Sequence, residues 1–94
     1  MANPLGNPED QDVIAVTAAV QTITLGYGLS SLEVQNSGSN DIYYGKAATL
    51  TSDRGGVIYS NGDRKSWENL PTGWKVSVRC ATGKTSSLRV IYYV

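Results

Sequence analysis

Residues 74–94 read WKVSVRC (74–80), ATGKTS (81–86) and SLRVIYYV (87–94), and this stretch decides the fold. In the first run Trp74, Val76, Val78 and Cys80 alternate with Lys75, Ser77 and Arg79. That period of two turns one face of a strand inward and leaves the other in water. ATGKTS is a polar turn around Gly83, read as a hairpin connection. The final run sets Leu88, Val90 and Tyr92 on one face and Ile91 and Tyr93 on the other, so both faces are apolar. Such a strand is covered on both sides. In a small protein another subunit can supply the second cover.

Toward the N-terminus the same grammar repeats. Ser66–Leu70 reads as a strand with Trp67 and Asn69 on one face, followed by the turn Pro71-Thr72-Gly73. Val57–Tyr59 is a brief strand, and Ser60-Asn61-Gly62-Asp63 holds Asn-Gly, a strong hairpin signal. Residues 46–56 are a polar connection, Ile42–Tyr44 a short strand closed by Gly45, and Asn36–Asp41 a tight turn. Leu32 and Val34 alternate with Ser31, Glu33 and Gln35, and Gly26-Tyr27-Gly28 is a turn. Asp12–Leu25 (DVIAVTAAVQTITL) is Ala-containing, but eight of its fourteen residues are β-branched. That favours two strands, Val13–Thr17 and Val20–Leu25, bent near Ala18-Ala19. The expectation is an all-β chain. Its seven or eight short antiparallel strands form a small β-sandwich, jelly-roll-like, with a small barrel as the other closure.

Residues 1–11 read as an extended or disordered arm, because Pro4, Gly6 and Pro8 oppose regular structure and only Leu5 offers an apolar anchor. Residues 12–94 are then the single domain. On this reading, removing the arm leaves the body intact.

The chain has 94 residues, 40% of them apolar, with six Tyr, two Trp and no Phe. A core must therefore come from Val, Ile, Leu and aromatic rings, and a chain this small gains from oligomerisation. Net charge is zero, but Glu9, Asp10 and Asp12 give the first twelve residues −3; eight bases against five acids leave +3 for the rest. The bases are scattered, which argues against nucleic acid as a partner. No apolar stretch reaches the length of a membrane span, and MANPLGNPEDQ lacks the basic start and apolar centre of a secretory leader. No membrane partner and synthesis in a cytoplasm are expected.

Catalytic chemistry finds little to work with. There is no histidine, and the single Cys80, on the inward parity of its strand, reads as a core residue. Gly83-Lys84-Thr85 lacks both the upstream glycine and the following helix of a phosphate loop. Gly26-x-Gly28 lacks the third glycine of a dinucleotide fingerprint. Asp53, Asn61 and Asp63 do not have calcium-loop spacing, and Asp41, Asp53, Asp63 and Glu68 sit in or beside polar turns, suited to bonding their own backbone. No residue is assigned a catalytic, cofactor or metal role, and the chain is read as a non-enzyme. Trp74 heads an inward row, whereas Tyr27, Tyr59 and Trp67 are the candidates for an exposed sugar-stacking platform.

Four stretches carry a resemblance: VQNSGSND (34–41), IYYGK (42–46), TSDRGGVIYSNGDRKSWENL (51–70) and RCATGKTSSLRVIYY (79–93). Together they resemble a recurring class of small phage structural proteins over about two thirds of the chain. One departure is the charged SNGDRKSW, where such proteins often carry a hydrophobic or glycine-proline loop. The resemblance implies a virion component on a β-sandwich. The leading expectation is a capsid decoration (cement) protein on the outer shell, a homo-oligomer such as a trimer, bound to the major capsid protein of a phage head. Its candidate contacts are Pro4, Leu5, Pro8, Glu9, Asp10 and Asp12 with Ile91 and Tyr93 of the last strand. The alternative is a carbohydrate- or receptor-binding module of a head or tail fibre, using the Tyr27, Tyr59 and Trp67 platform.

Overall fold

The computed structural model describes residues 8–25, 30–51 and 55–93, with the backbone alone at 8–12 and 30. The described residues form eight strands and no helix: β1 (Pro8–Val16), β2 (Gln21–Thr24), β3 (Ser30–Asn36), β4 (Ile42–Gly45), β5 (Gly56–Ile58), β6 (Arg64–Leu70), β7 (Lys75–Arg79) and β8 (Ser86–Tyr93). The expected all-β sandwich is what forms. The bend at Ala18-Ala19 carries the chain from β1 in one sheet to β2 in the other.

The sheets run β1-β8-β3-β6 and β2-β7-β4-β5, all pairs antiparallel. The pairs β1–β8, β2–β7, β3–β6 and β4–β5 are nested, as in one long hairpin rolled up on itself. The contacts β3–β8 and β4–β7 close the roll. This connectivity is a jelly roll. Only β4 and β5 are sequence neighbours within a sheet; every other connection crosses the sandwich.

That crossing corrects two expectations. Asn61 and Gly62 do take the left-handed φ values of a tight turn, 66° and 106°. They nevertheless join β5 to β6 in opposite sheets, so no hairpin forms. The turn docks instead on the β3–β4 loop, where Asn61 N–H donates to the Gly38 carbonyl (3.1 Å) and Gly62 N–H to that of Asn36 (2.7 Å). The Gly83 turn, φ 78°, likewise crosses from β7 to β8.

Both sheets fill one core. Val16, Leu32, Val34, Leu70, Leu88 and Val90 of the first meet Ile23, Ile42, Ile58, Val76 and Val78 of the second, with Leu25 and Cys80 at the margins. Three parity readings need adjustment. Trp67 and Asn69 do not share a face, because Asn69 adopts φ 55° and two residues of β6 oppose one of β3 between the pairs Leu32–Trp67 and Ser30–Leu70. This bulge turns both Trp67 and Leu70 inward, and asparagine tolerates the left-handed backbone it needs. Ser77, expected to face water, is only 2% exposed. It lies on a central strand between β2 and β4, and its hydroxyl meets that of Thr22 at 2.8 Å. Tyr93 is 8% exposed within a single chain, so no second subunit is required to cover it.

The polar centre of the fold is Asn36, fully buried at the end of β3. Its Nδ2 donates to the carbonyls of Asn40 (2.8 Å) and Ile58 (2.9 Å). Its Oδ1 accepts from the Gly38 N–H (3.1 Å) and the Ser86 hydroxyl (2.7 Å). One side chain thus joins β3, the β3–β4 loop, β5 of the opposite sheet and the start of β8. Gly38 is confined against the same place: a Cβ there would collide with Ser86 Oγ and the Ser87 backbone.

β1 starts at Pro8, inside the stretch read as an arm, with Pro8, Asp10 and Gln11 in register with Tyr93, Tyr92 and Ile91. The body therefore begins at Pro8 rather than Asp12. Deleting residues 1–7 removes nothing from β1 and is expected to leave stability within about 0.5 kcal/mol of the full chain. Deleting 1–11 removes four positions of β1 and should cost about 2 kcal/mol in chemical denaturation.

Candidate functional site

The surface formed by β1, β8 and β3 carries most of the expected contact residues. Pro8, Asp10 and Asp12 sit at register positions opposite Tyr93, Tyr92 and Val90, and Glu9 is the extra residue where the β1 register shifts. Pro4 and Leu5 lie outside the described residues, as does Tyr27. On the outward side of this sheet Val13 is 63% exposed opposite Arg89, and half-buried Ile91 stands opposite Glu33. Tyr93 is committed internally, its hydroxyl donating to Glu33 Oε1 at 3.3 Å, while Arg64 Nη1 lies 3.9 Å from Glu33 Oε2. The accessible apolar part of the face is therefore Val13 with Ile91. Val13 was not singled out in the sequence, where it reads as one more β-branched strand residue.

The aromatic residues separate into packed and exposed members. Trp67 packs against Trp74 with the rings tilted by 49° (centroids 5.3 Å) and meets Tyr44 edge-on (5.6 Å), with Lys65 Nζ 5.9 Å above the Tyr44 ring. All three rings pack on the core. Gly56 makes room for them, since a Cβ there would enter the Tyr44 ring. Tyr59 is 61% exposed but lies on the connection after β5, apart from this cluster. Trp67 and Tyr59 thus do not form a shared platform.

The turn carboxylates serve the backbone, as their sequence positions suggested. Asp63 accepts from the Tyr59 and Arg64 N–H groups (2.9 Å each), and Asp41 Oδ1 from Ser60 N–H (2.9 Å). Glu68 is exposed, and Asp53 lies outside the described residues. Among the described residues, no three His, Cys, Asp or Glu side chains gather where a metal ion could be held, and no helix is long and apolar enough to cross a membrane. Cys80 is completely buried, its thiol directed at the Val16 carbonyl (3.6 Å).

A feature with no sequence signature lies on the outward side of the second sheet. A groove of about 510 Å³ crosses β2, β7 and β4, lined by Thr22, Thr24, Gly45, Lys46, Ala47, Lys75 and Ser77. Thr22 pairs with Ser77, Ser77 with Gly45, and Thr24 with Lys75, so the lining side chains occupy adjacent register positions. Gly45 contributes no side chain and leaves the sheet bare beside Ser77. The turn after β4, held by Leu50 N–H donating to the Lys46 carbonyl (2.9 Å), forms one wall.

No family model matches the chain, and it has no match among the curated proteins or the solved structures.

Among the described residues, the buried Tyr93 phenol and Cys80 thiol contribute to the response to alkali. Burial pushes the Tyr93 phenol above its ordinary 10.0, and the adjacent Glu33 carboxylate adds to the rise. Burial likewise raises the Cys80 thiol above 9.0, partly opposed by Arg79 and reinforced by Asp41. A group whose pKa is raised on folding contributes full stability below its unfolded value and loses it as pH climbs. The melting temperature is expected to hold to about pH 8.5 and fall beyond it. Cys80→Ala should flatten the first part of the fall and Tyr93→Phe the part above about pH 10. A melting curve independent of pH up to about pH 11 would contradict the assignment.

Proposed function

We propose that this chain is a non-enzymatic structural protein of a phage particle: a capsid decoration protein that binds the outer shell as a homo-oligomer, a trimer, and stabilises it. The observation that carries the reading is the pairing of β1 with β8. It brings the acidic N-terminal strand and the C-terminal strand side by side at one edge of a sheet. The exposed Val13 and half-buried Ile91 on that sheet add an apolar strip to the same edge. The resemblance of residues 34–46, 51–70 and 79–93 to small phage structural proteins supports it as well, since those stretches supply the turns and strands of the jelly roll.

The physical logic is mass action. A rigid β-body that binds the assembled shell and not its dissociated subunits shifts the equilibrium toward assembly. Residues 1–7, the Pro8–Asp12 strand and Val13 would make the shell contacts with the major capsid protein. A trimer suits the local three-fold positions of an icosahedral surface.

The test is to count copies of the chain per purified particle by quantitative mass spectrometry. Copy numbers comparable to those of the shell subunits are expected. A handful per particle would move the chain to a tail or fibre, and absence from the particle would overturn the virion reading. On stripped particles, Val13→Asp should weaken reattachment roughly tenfold while the free protein melts normally.

A further inference from the structure

We infer that the groove across β2, β7 and β4 is a binding site for a carboxylate-bearing saccharide. This does not rest on the virion reading, because it concerns the opposite sheet and is measurable on the isolated chain.

The groove supplies two kinds of recognition group. Lys46 and Lys75 line it with ammonium-bearing side chains, and among the described residues neither has a carboxylate within salt-bridge distance. Thr22 and Thr24 add two exposed hydroxyls on β2, and buried Ser77 of the neighbouring β7 holds that of Thr22 in place. The Thr22 and Ser77 hydroxyls are 2.8 Å apart, so one donates to the other. The accepting hydroxyl keeps its own proton to donate, and the donating one keeps its lone pairs. Thr22, the exposed member of this pair, therefore offers a ligand a proton or a lone pair, and exposed Thr24 two residues along the same face of β2 offers both, which suits the vicinal hydroxyls of a sugar.

Charge and shape narrow the ligand further. Two lysines at an open groove favour an anion, and a charge-assisted bond from an ammonium to a carboxylate is roughly twice as strong as a neutral one. The volume of about 510 Å³ fits a short saccharide. Among the described residues the lining holds no aromatic ring on which a neutral sugar could stack. Among the described residues it also holds no large apolar side chain to anchor a peptide, Ala47 being the sole aliphatic one. A uronic-acid oligomer meets these conditions better than a neutral glycan or an acidic peptide.

The experiment titrates the full chain with a trimer of galacturonic acid, a neutral galactose trimer and tetraglutamate, following backbone amide shifts. The uronate is expected to give saturable shifts at Thr22, Thr24, Gly45, Lys46, Lys75 and Ser77. Lys46→Gln and Lys75→Gln should each weaken it roughly tenfold without changing the melting temperature, both side chains being exposed. The neutral trimer should bind at least tenfold more weakly. Absence of saturable shifts, shifts confined to another surface, or unaltered affinity in both lysine variants would overturn the assignment. Equal binding of the neutral trimer, or tetraglutamate binding as tightly as the uronate, would overturn it too, the latter by making the groove an acidic-peptide site.

Discussion

The buried amide of Asn36 is the constraint on which the fold depends. A jelly roll made almost entirely of crossing connections has few hydrogen bonds between its sheets, because each ladder is satisfied within its own sheet. Asn36 is a member of the first sheet whose side chain bonds the Ile58 carbonyl of the second. Its four side-chain hydrogen bonds use both amide protons and two acceptor positions. Burying an amide is tolerable only when it is satisfied in this way. The hydrophobic core holds the sheets face to face without specifying register, whereas Asn36 fixes where the β3–β4 loop, the β5 end and the β8 start must sit.

From that fixed corner the two outward faces acquire different characters. The β1-β8-β3-β6 sheet has Val13, Ile91, Arg89 and Glu33 facing out, an apolar strip beside charges. The β2-β7-β4-β5 sheet has hydroxyls and lysines around the bare backbone of Gly45. A face of the first kind suits a protein contact and one of the second an anionic, hydroxylated ligand. The division follows from strand order: β7 and β4 must be neighbours for Ser77, Gly45 and Lys46 to share a groove.

The positions of the strands were legible in the sequence, because alternation and turn residues are local signals, except for the Pro8–Gln11 part of β1, whose polar, proline-opened sequence reads as an arm. Strand partners were not. Asn61-Gly62 and Gly83 have the same backbone conformation whether the chain doubles back in one sheet or crosses to the other, so a hairpin reading was natural and incorrect. Asn36 reads as a turn residue, since its partners Ile58 and Ser86 are distant in sequence. The β6 bulge was hidden by strict parity, although the apolar Leu70 one step beyond Asn69 was a signal that the alternation breaks. Ser77 read as solvent-facing, because nothing local announces that Gly45 will lie beside it and Thr22 across from it. The groove drew on three separate stretches and so left no motif.

The most direct test of this account is amide hydrogen exchange with chemical denaturation on Asn36→Ala. If Asn36 joins the sheets, the variant loses about 3 kcal/mol, and exchange quickens in β4 and β5 of the second sheet as well as β3 and β8 of the first. A loss under about 1 kcal/mol, with faster exchange confined to residues 37–41, would show the amide to be a local turn device and contradict the account.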